Sequence, residues 1–103
     1  MTVTVVRYKT RPERADENQA LIEKVFAELA ADTPDGLRYA SFRLEDGVTF
    51  VHIAESTTAD GKNPLTEVAA FRAFGAEIAD RCDEPPVALS GTMVGSYNFW
   101  PDD

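Results

Sequence analysis

The chain has 103 residues, 44% of them hydrophobic, and a net charge of −8 from 18 acidic and 10 basic side chains. That length suits one domain over residues 1–103 with a single modest core, and that composition suits a folded chain rather than a disordered one. The acidic balance argues against nucleic acid and anionic membranes as partners, because both demand clustered Lys and Arg; no apolar run approaches the ~20 residues that span a bilayer.

The opening MTVTVVRYKT has no basic leader ahead of an apolar block, so a signal peptide is not expected. Cys82 is the single cysteine and His52 the single histidine, which leaves no internal disulfide and no metal cluster to build. A cytoplasmic protein without metal or cofactor is the expectation.

Residues 2–10 are rich in β-branched and aromatic side chains and predict a strand, with Val3, Val5 and Arg7 on one face and Thr4, Val6 and Tyr8 on the other. Pro12 follows, where a new element can begin. Residues 13–32 place Leu21, Ile22, Val25, Phe26 and Leu29 at helical spacing, with Glu17, Glu23, Lys24 and Glu28 off the stripe. Thr33-Pro34-Asp35-Gly36 stops that helix. A β-hairpin is predicted next, turning at Asp46-Gly47 as a two-residue type I′ turn. The turn sets a register in which Arg43 faces Phe50, Phe42 faces Val51, Ser41 faces His52 and Ala40 faces Ile53. Arg38 and Glu55 then form a cross-strand pair on the surface.

A polar loop covers 57–64. A second amphipathic helix covers 65–82, with Val68, Phe71, Phe74, Ile78 and Cys82 inward and Thr66 as a cap. Asp83-Glu84-Pro85-Pro86 ends it, and residues 87–99 form the last strand. Strand, helix, strand, strand, helix, strand is the ferredoxin-like βαββαβ order, an α+β fold with a four-stranded antiparallel sheet. Of the two hairpin faces, the apolar one (Ala40, Phe42, Leu44, Val51, Ile53) suits a helix layer. The mixed one (Tyr39, Ser41, Arg43, Phe50, His52) then needs another cover. A second copy of the sheet is the simplest, giving a homodimer closed as an α+β barrel. The aromatic end Tyr97-Asn98-Phe99-Trp100-Pro101 suits an arm reaching across to the partner.

VTVVRYKTRPE leading into the first helix, the hairpin GLRYASFRLEDGVTFVHIAES, and EVAAFRAFGAEI as the second helix together resemble the dimeric α+β barrel superfamily. They are most similar to its antibiotic-biosynthesis-monooxygenase-like branch, over nearly the whole chain. The resemblance implies a homodimer, and its known members include cofactor-free monooxygenases of polyketide quinones, haem-degrading monooxygenases and small proteins of no assigned activity. Haem degraders of the superfamily carry an iron-ligating histidine on the second helix; here that helix has none, and Trp100 stands at the wrong end. The polyketide-oxidising members use asparagine, tryptophan, tyrosine and arginine around a cavity. Asn63 and Arg72 fall in comparable places, without the tryptophan or tyrosine.

Cofactor-free oxygenation requires a dry pocket, a proton acceptor and donors that stabilise an anion. His52 is the candidate base, its pKa being naturally near neutrality; a buried histidine satisfied by Ser41 or by the partner is the competing reading. Arg43 stands between a clamp for a substrate anion and an interface ion pair. A pocket between helices and sheet is expected, floored by Phe42 and Val51 with Ala40 and Ile53, and walled by Phe26, Phe71 and Phe74. Its apolar lining suits a small aromatic ligand, or is simply core. A monooxygenase acting on a small aromatic or polyketide-type compound and a non-catalytic ligand-binding or structural dimer are the two functions to distinguish.

Overall fold

The computed structural model describes residues 2–58 and 63–99. Strand β1 (Thr2–Thr10) leads through a 3-10 turn (Pro12–Arg14) into α1 (Ala15–Asp32); β2 (Leu37–Arg43) and β3 (Thr49–Ser56) form the hairpin. A second 3-10 turn (Pro64–Glu67) precedes α2 (Ala69–Ala76), the single-turn α3 (Ile78–Arg81) and β4 (Cys82–Thr92). The four strands make one antiparallel sheet in the order β2-β3-β1-β4. This is the ferredoxin-like α+β arrangement expected from the element order. Among the described residues no helix is long and apolar enough to cross a membrane.

α1 ends where expected. Thr33 adopts a left-handed conformation (φ 42°) and its N–H donates to the carbonyl of Leu29, a common helix stop. Gly36 (φ 77°) then turns the chain into β2, and a Cβ there would stand 2.9 Å from Thr58 Cγ2, so glycine is required. The hairpin register is the one read from the sequence, from Arg43↔Phe50 through Ala40↔Ile53. Its turn differs. Only Gly47 takes a positive φ; Gly47 N–H donates to the Leu44 carbonyl, and the Asp46 carboxylate accepts from Val48 N–H, Thr49 N–H and the Thr49 hydroxyl. These three bonds replace the type I′ geometry and hold the Asp46 carboxyl down at about 2.

The predicted helix over 65–82 is broken into parts. Val68 is extended, and the freed N–H groups of Ala69 and Ala70 donate to the Glu28 carboxylate of α1 at 3.0 and 3.1 Å. A side chain of one helix thus caps the start of the other, as charge and unsatisfied donors there require. Asn63, not Thr66, caps the preceding 3-10 turn by accepting from Leu65 N–H. The break at Glu77 follows Gly75, a weak helix former. Cys82 belongs to β4, a strand that runs from 82 to 92 and not from 87 to 99. The Pro85-Pro86 pair is accommodated because β4 is an edge strand, and the β1–β4 register slips there, from Arg7↔Val87 to Lys9↔Glu84.

The largest correction concerns the faces of the sheet. The helices cover Tyr39, Ser41, Phe50 and His52, the mixed face. Ala40, Phe42, Val51 and Ile53 lie on the opposite, outer face with Val3, Val5, Val87 and Leu89. Tyr8, Phe50, Val25, Leu65, Val68 and Phe74 form the buried core on the helix side, each contributing about 1.5–3 kcal/mol by removal from water. Planar rings account for this choice. Tyr8 stacks on Phe50 (5.5 Å between centroids) and Phe26 on Tyr39 (5.0 Å), filling the layer beneath the helices. The polar atoms on that face bond one another, so burying them carries little penalty.

On the outer face, Glu55 pairs in register with Arg38 as expected, but it is only 2% exposed and thus not a surface group. Its carboxylate oxygens accept no hydrogen bond among the described residues. The chain beyond β4 folds back beside its own sheet, where Met93, Tyr97 and Phe99 border a groove with Val3 and Ile53. Trp100 and Pro101 of the expected aromatic arm lie outside the described residues.

Candidate functional site

β3 carries His52 toward the helices, and α1, β1 and β2 bring partners to it. Tyr8 Oη lies 2.7 Å from His52 Nε2; Tyr39 Oη and Ser41 Oγ lie 2.6 and 2.7 Å from Nδ1. Behind Tyr8, Asn18 Nδ2 donates to the Tyr8 oxygen at 2.9 Å, and Arg81 Nε donates to Asn18 Oδ1 at 3.1 Å. Arg81 is itself buried at 2% exposure, its Nη2 donating to the Phe74 carbonyl at 2.6 Å and its guanidinium 5.3 Å from the Phe74 ring centroid. The result is one buried polar chain from α3 to β2.

The electrostatics follow from burial. Desolvation lowers the His52 pKa from 6.5 to about 4, so the imidazole is neutral at pH 7. Burial raises the Tyr8 hydroxyl, against the opposing hydrogen bond from Asn18, and raises Tyr39 against that from Ser41. All three rings therefore remain uncharged.

A cavity of about 170 Å³ adjoins the network, lined by Tyr8, Tyr39, His52, Phe71, Phe74 and Asn63 among others. It lies between helices and sheet as expected, with Phe71 and Phe74 in its wall. Its floor is not the expected one: Phe42 and Val51 sit on the outer face, and Tyr39, His52 and Ala54 take their place, because the sheet presents its other side to the helices. Phe26 is displaced by one layer, stacked behind Tyr39 and lining surface grooves of its own.

Arg43 is not in the cavity. At the hairpin end it donates to Gln19 Oε1 (2.7 Å), Asp16 Oδ1 (3.1 Å) and the Gly47 carbonyl (2.8 Å), with its guanidinium 5.7 Å from the Phe50 centroid. Its ion pair is thus made within the chain. Arg72 is exposed and donates to the Thr66 carbonyl. Cys82 is buried and its thiol is pushed up by desolvation, as a core residue would be. Among the described residues no group of three or more His, Cys, Asp or Glu is placed to hold a metal ion.

Sequence reasoning found His52 and Ser41 together but missed Asn18, Tyr8 and Arg81 as their supports. The signal was present in the helical period. Asn18 lies four residues before Ile22 and seven before Val25 on the buried stripe, and Arg81 lies seven after Phe74.

No protein-family model matches the sequence, and no curated protein is detectably similar to it. Solved structures match it closely in shape. A structure described as an antibiotic biosynthesis monooxygenase superposes with a TM-score of 0.72 at 18% identity, over 92% of this chain and all of that one. SnoaB, described as a cofactor-independent oxygenase from Streptomyces nogalater, matches at a TM-score of 0.67 and 16% identity, over 94% of this chain and 96% of its own. A protein of unknown function from Nitrosomonas europaea matches at 0.71 and 13% identity, over 93% and 91%. The resemblance read from the sequence holds at the level of the fold: this chain has the ferredoxin-like α+β fold of the antibiotic biosynthesis monooxygenase structures.

Proposed function

We propose that the chain is a cofactor-independent monooxygenase acting on a small hydroxyaromatic compound in the His52–Tyr39 cavity. The observation that carries this reading is an apolar cavity, on the fold of a known cofactor-independent oxygenase, whose polar wall is a neutral imidazole bonded to two neutral phenols. Its volume suits one or two rings, since an apolar cavity of roughly 150 Å³ holds benzene. The substrate enters as its anion, having lost a proton to water. A ring C–H carbon then becomes a carbonyl while the anionic C–O⁻ becomes the second one. One atom of O₂ enters the substrate, the other leaves as water with the ring hydrogen and one proton returned from solvent, and the substrate supplies all four electrons. Exclusion of water and stabilisation of the anion's oxygen are the protein's part. His52 acts in this scheme through its neighbours rather than as a free base, because both ring nitrogens are already engaged.

That same engagement favours a second reading, a non-catalytic module that binds a small aromatic ligand. Oxygen uptake with a panel of hydroxyaromatic compounds separates the two. Turnover that drops at least about tenfold in Tyr39→Phe supports the enzyme; binding without uptake for every compound supports the module.

A homodimer belongs to both readings. The outer face presents Phe42, Val87 and Leu89 to solvent, and a second copy of the sheet would cover them. A cytoplasmic setting agrees with the single, buried, unpaired Cys82.

A further inference from the structure

One direction of the buried chain of hydrogen bonds leaves no fully buried proton without an acceptor. A guanidinium can only donate, so Arg81 Nε fixes which end of the Asn18 amide faces it: the oxygen. The amide nitrogen must then face Tyr8 and donate to its oxygen. A phenol oxygen can accept from both neighbours, but Tyr8's own proton would then have no acceptor among its bonded partners; it is satisfied when it goes to His52 Nε2, 2.7 Å away. Nε2 is thereby an acceptor, and the neutral ring carries its hydrogen on Nδ1. Every bond from Arg81 to the imidazole then points the same way, and Asn18, Tyr8, His52 and Arg81 are all buried.

The end of the chain does not close on itself. Nδ1–H donates to the Tyr39 and Ser41 oxygens, at 2.6 and 2.7 Å, and has no lone pair with which to accept from either. Those two hydroxyls hold two protons. A bond between them uses one. Ser41 borders a surface groove and Tyr39 the cavity, so when Ser41 donates to Tyr39 the remaining proton is the Tyr39 hydroxyl's, at the cavity wall.

We infer that Arg81 and Asn18 are positioning residues that polarise this chain so that the Tyr39–Ser41 hydroxyl pair offers a donor to the cavity, which therefore takes an aromatic ligand by an anionic oxygen, a phenolate or an enolate. The inference rests on the cavity being the ligand site proposed above, and adds the residues that select the ligand's anionic form. Chains of aligned hydrogen bonds strengthen one another in a low-dielectric interior, and a preset donor aimed at a developing oxyanion needs no reorganisation to act.

The test is a near-isosteric reversal. In Asn18→Asp both carboxylate oxygens accept. Tyr8 then donates to Asp, its oxygen accepts from His52 Nε2–H, and Nδ1 becomes an acceptor for one of the two hydroxyl protons, leaving none for the cavity. Nitrogen-15 NMR of the single imidazole reads the tautomer directly. The wild type is expected as Nδ1–H and Asn18→Asp as Nε2–H. In parallel, 4-nitrophenol serves as the probe, its phenolate and phenol being distinguished by absorbance. The wild type is expected to bind the phenolate at least tenfold more tightly than the phenol. Asn18→Asp and Tyr39→Phe are expected to abolish that preference. A wild-type Nε2–H tautomer, an unchanged tautomer in Asn18→Asp, absence of binding, or a phenolate preference that survives Tyr39→Phe overturns the inference. If Asn18→Asp does not fold, the wild-type tautomer and the Tyr39→Phe titration still decide it. Neither readout uses oxygen, so loss of the monooxygenase reading alone would leave these results standing.

Discussion

Alternate residues of β3 go to two very different places. Phe50 and His52 point under the helices, into stacked rings and a saturated polar chain; Val51 and Ile53 point to the outer face, among aliphatic side chains with Val5 and Leu89. The strand, its register and its neighbours are the same for both sets. What differs is how each side is completed. The helix side is finished within one chain, because every ring has a ring against it and His52 has a bond at each nitrogen. The outer side leaves Leu89 67% exposed and Val87 57%. Polarity is thus a poor guide to which side is interior. A histidine and a serine that satisfy one another can be buried cheaply, whereas aliphatic groups need only some cover and not a particular one.

The sharpest way to break this contrast is to truncate on the helix side. Phe50→Ala removes a ring stacked on Tyr8, and is expected to cost about 3–5 kcal/mol in urea unfolding. A loss under about 1 kcal/mol would mean that the helix side is not the principal core.

The second test uses pH. His52's folded-state pKa, about 4, lies below its unbound 6.5. The unfolded chain therefore takes up the proton first as pH falls. This contribution is complete above about 6.5, declines through the interval, and is gone below about 4. Its size is ~3 kcal/mol by linkage. Asp46 acts in the same direction but in a separate window, from 3.8 down to about 2, so the two are resolved by stability measured at closely spaced pH values. His52→Gln should flatten the upper window alone; an unchanged profile would mean that His52 titrates normally in the fold.

A smaller effect is expected where the helix layer is fastened. Glu28→Ala deprives Ala69 and Ala70 of their acceptor, and should cost about 1 kcal/mol with faster amide exchange at the start of α2. Unchanged exchange there would show that the cap is not held in solution.

The smallest effect belongs to the outer face. Leu89→Ser should change the stability of the isolated chain by no more than about 0.5 kcal/mol. In a homodimer the same change would shift sedimentation toward the monomer at a given concentration. A large destabilisation with no change in sedimentation would contradict both the openness of this face and its proposed cover.

Period and turn chemistry in the sequence determined most of the fold. The α1 stripe, the stop at Thr33–Gly36, the element order and the full hairpin register were all legible because they depend on neighbours a few residues apart. The hairpin register survived even a mistaken turn type, since it depends on how many residues join β2 to β3 and not on Asp46's conformation. The two-part second helix was not legible, because its start depends on Glu28, some forty residues away. Nor was the start of β4, where Pro85-Pro86 looked like a terminator and is in fact a tolerated irregularity on an edge strand. For the site, the sequence offered His52, Ser41, Phe71 and Phe74. It placed Phe42 and Val51 on the wrong side, and Arg43, offered as an anion clamp or an interface ion pair, is bonded within the chain to Asp16, Gln19 and Gly47. Only tertiary structure decided which face the helices cover. A period of two in a strand separates the faces without ranking them, and the ranking came from ring packing and from a hydrogen-bond chain joining Arg81, Asn18, Tyr8 and His52 across four elements.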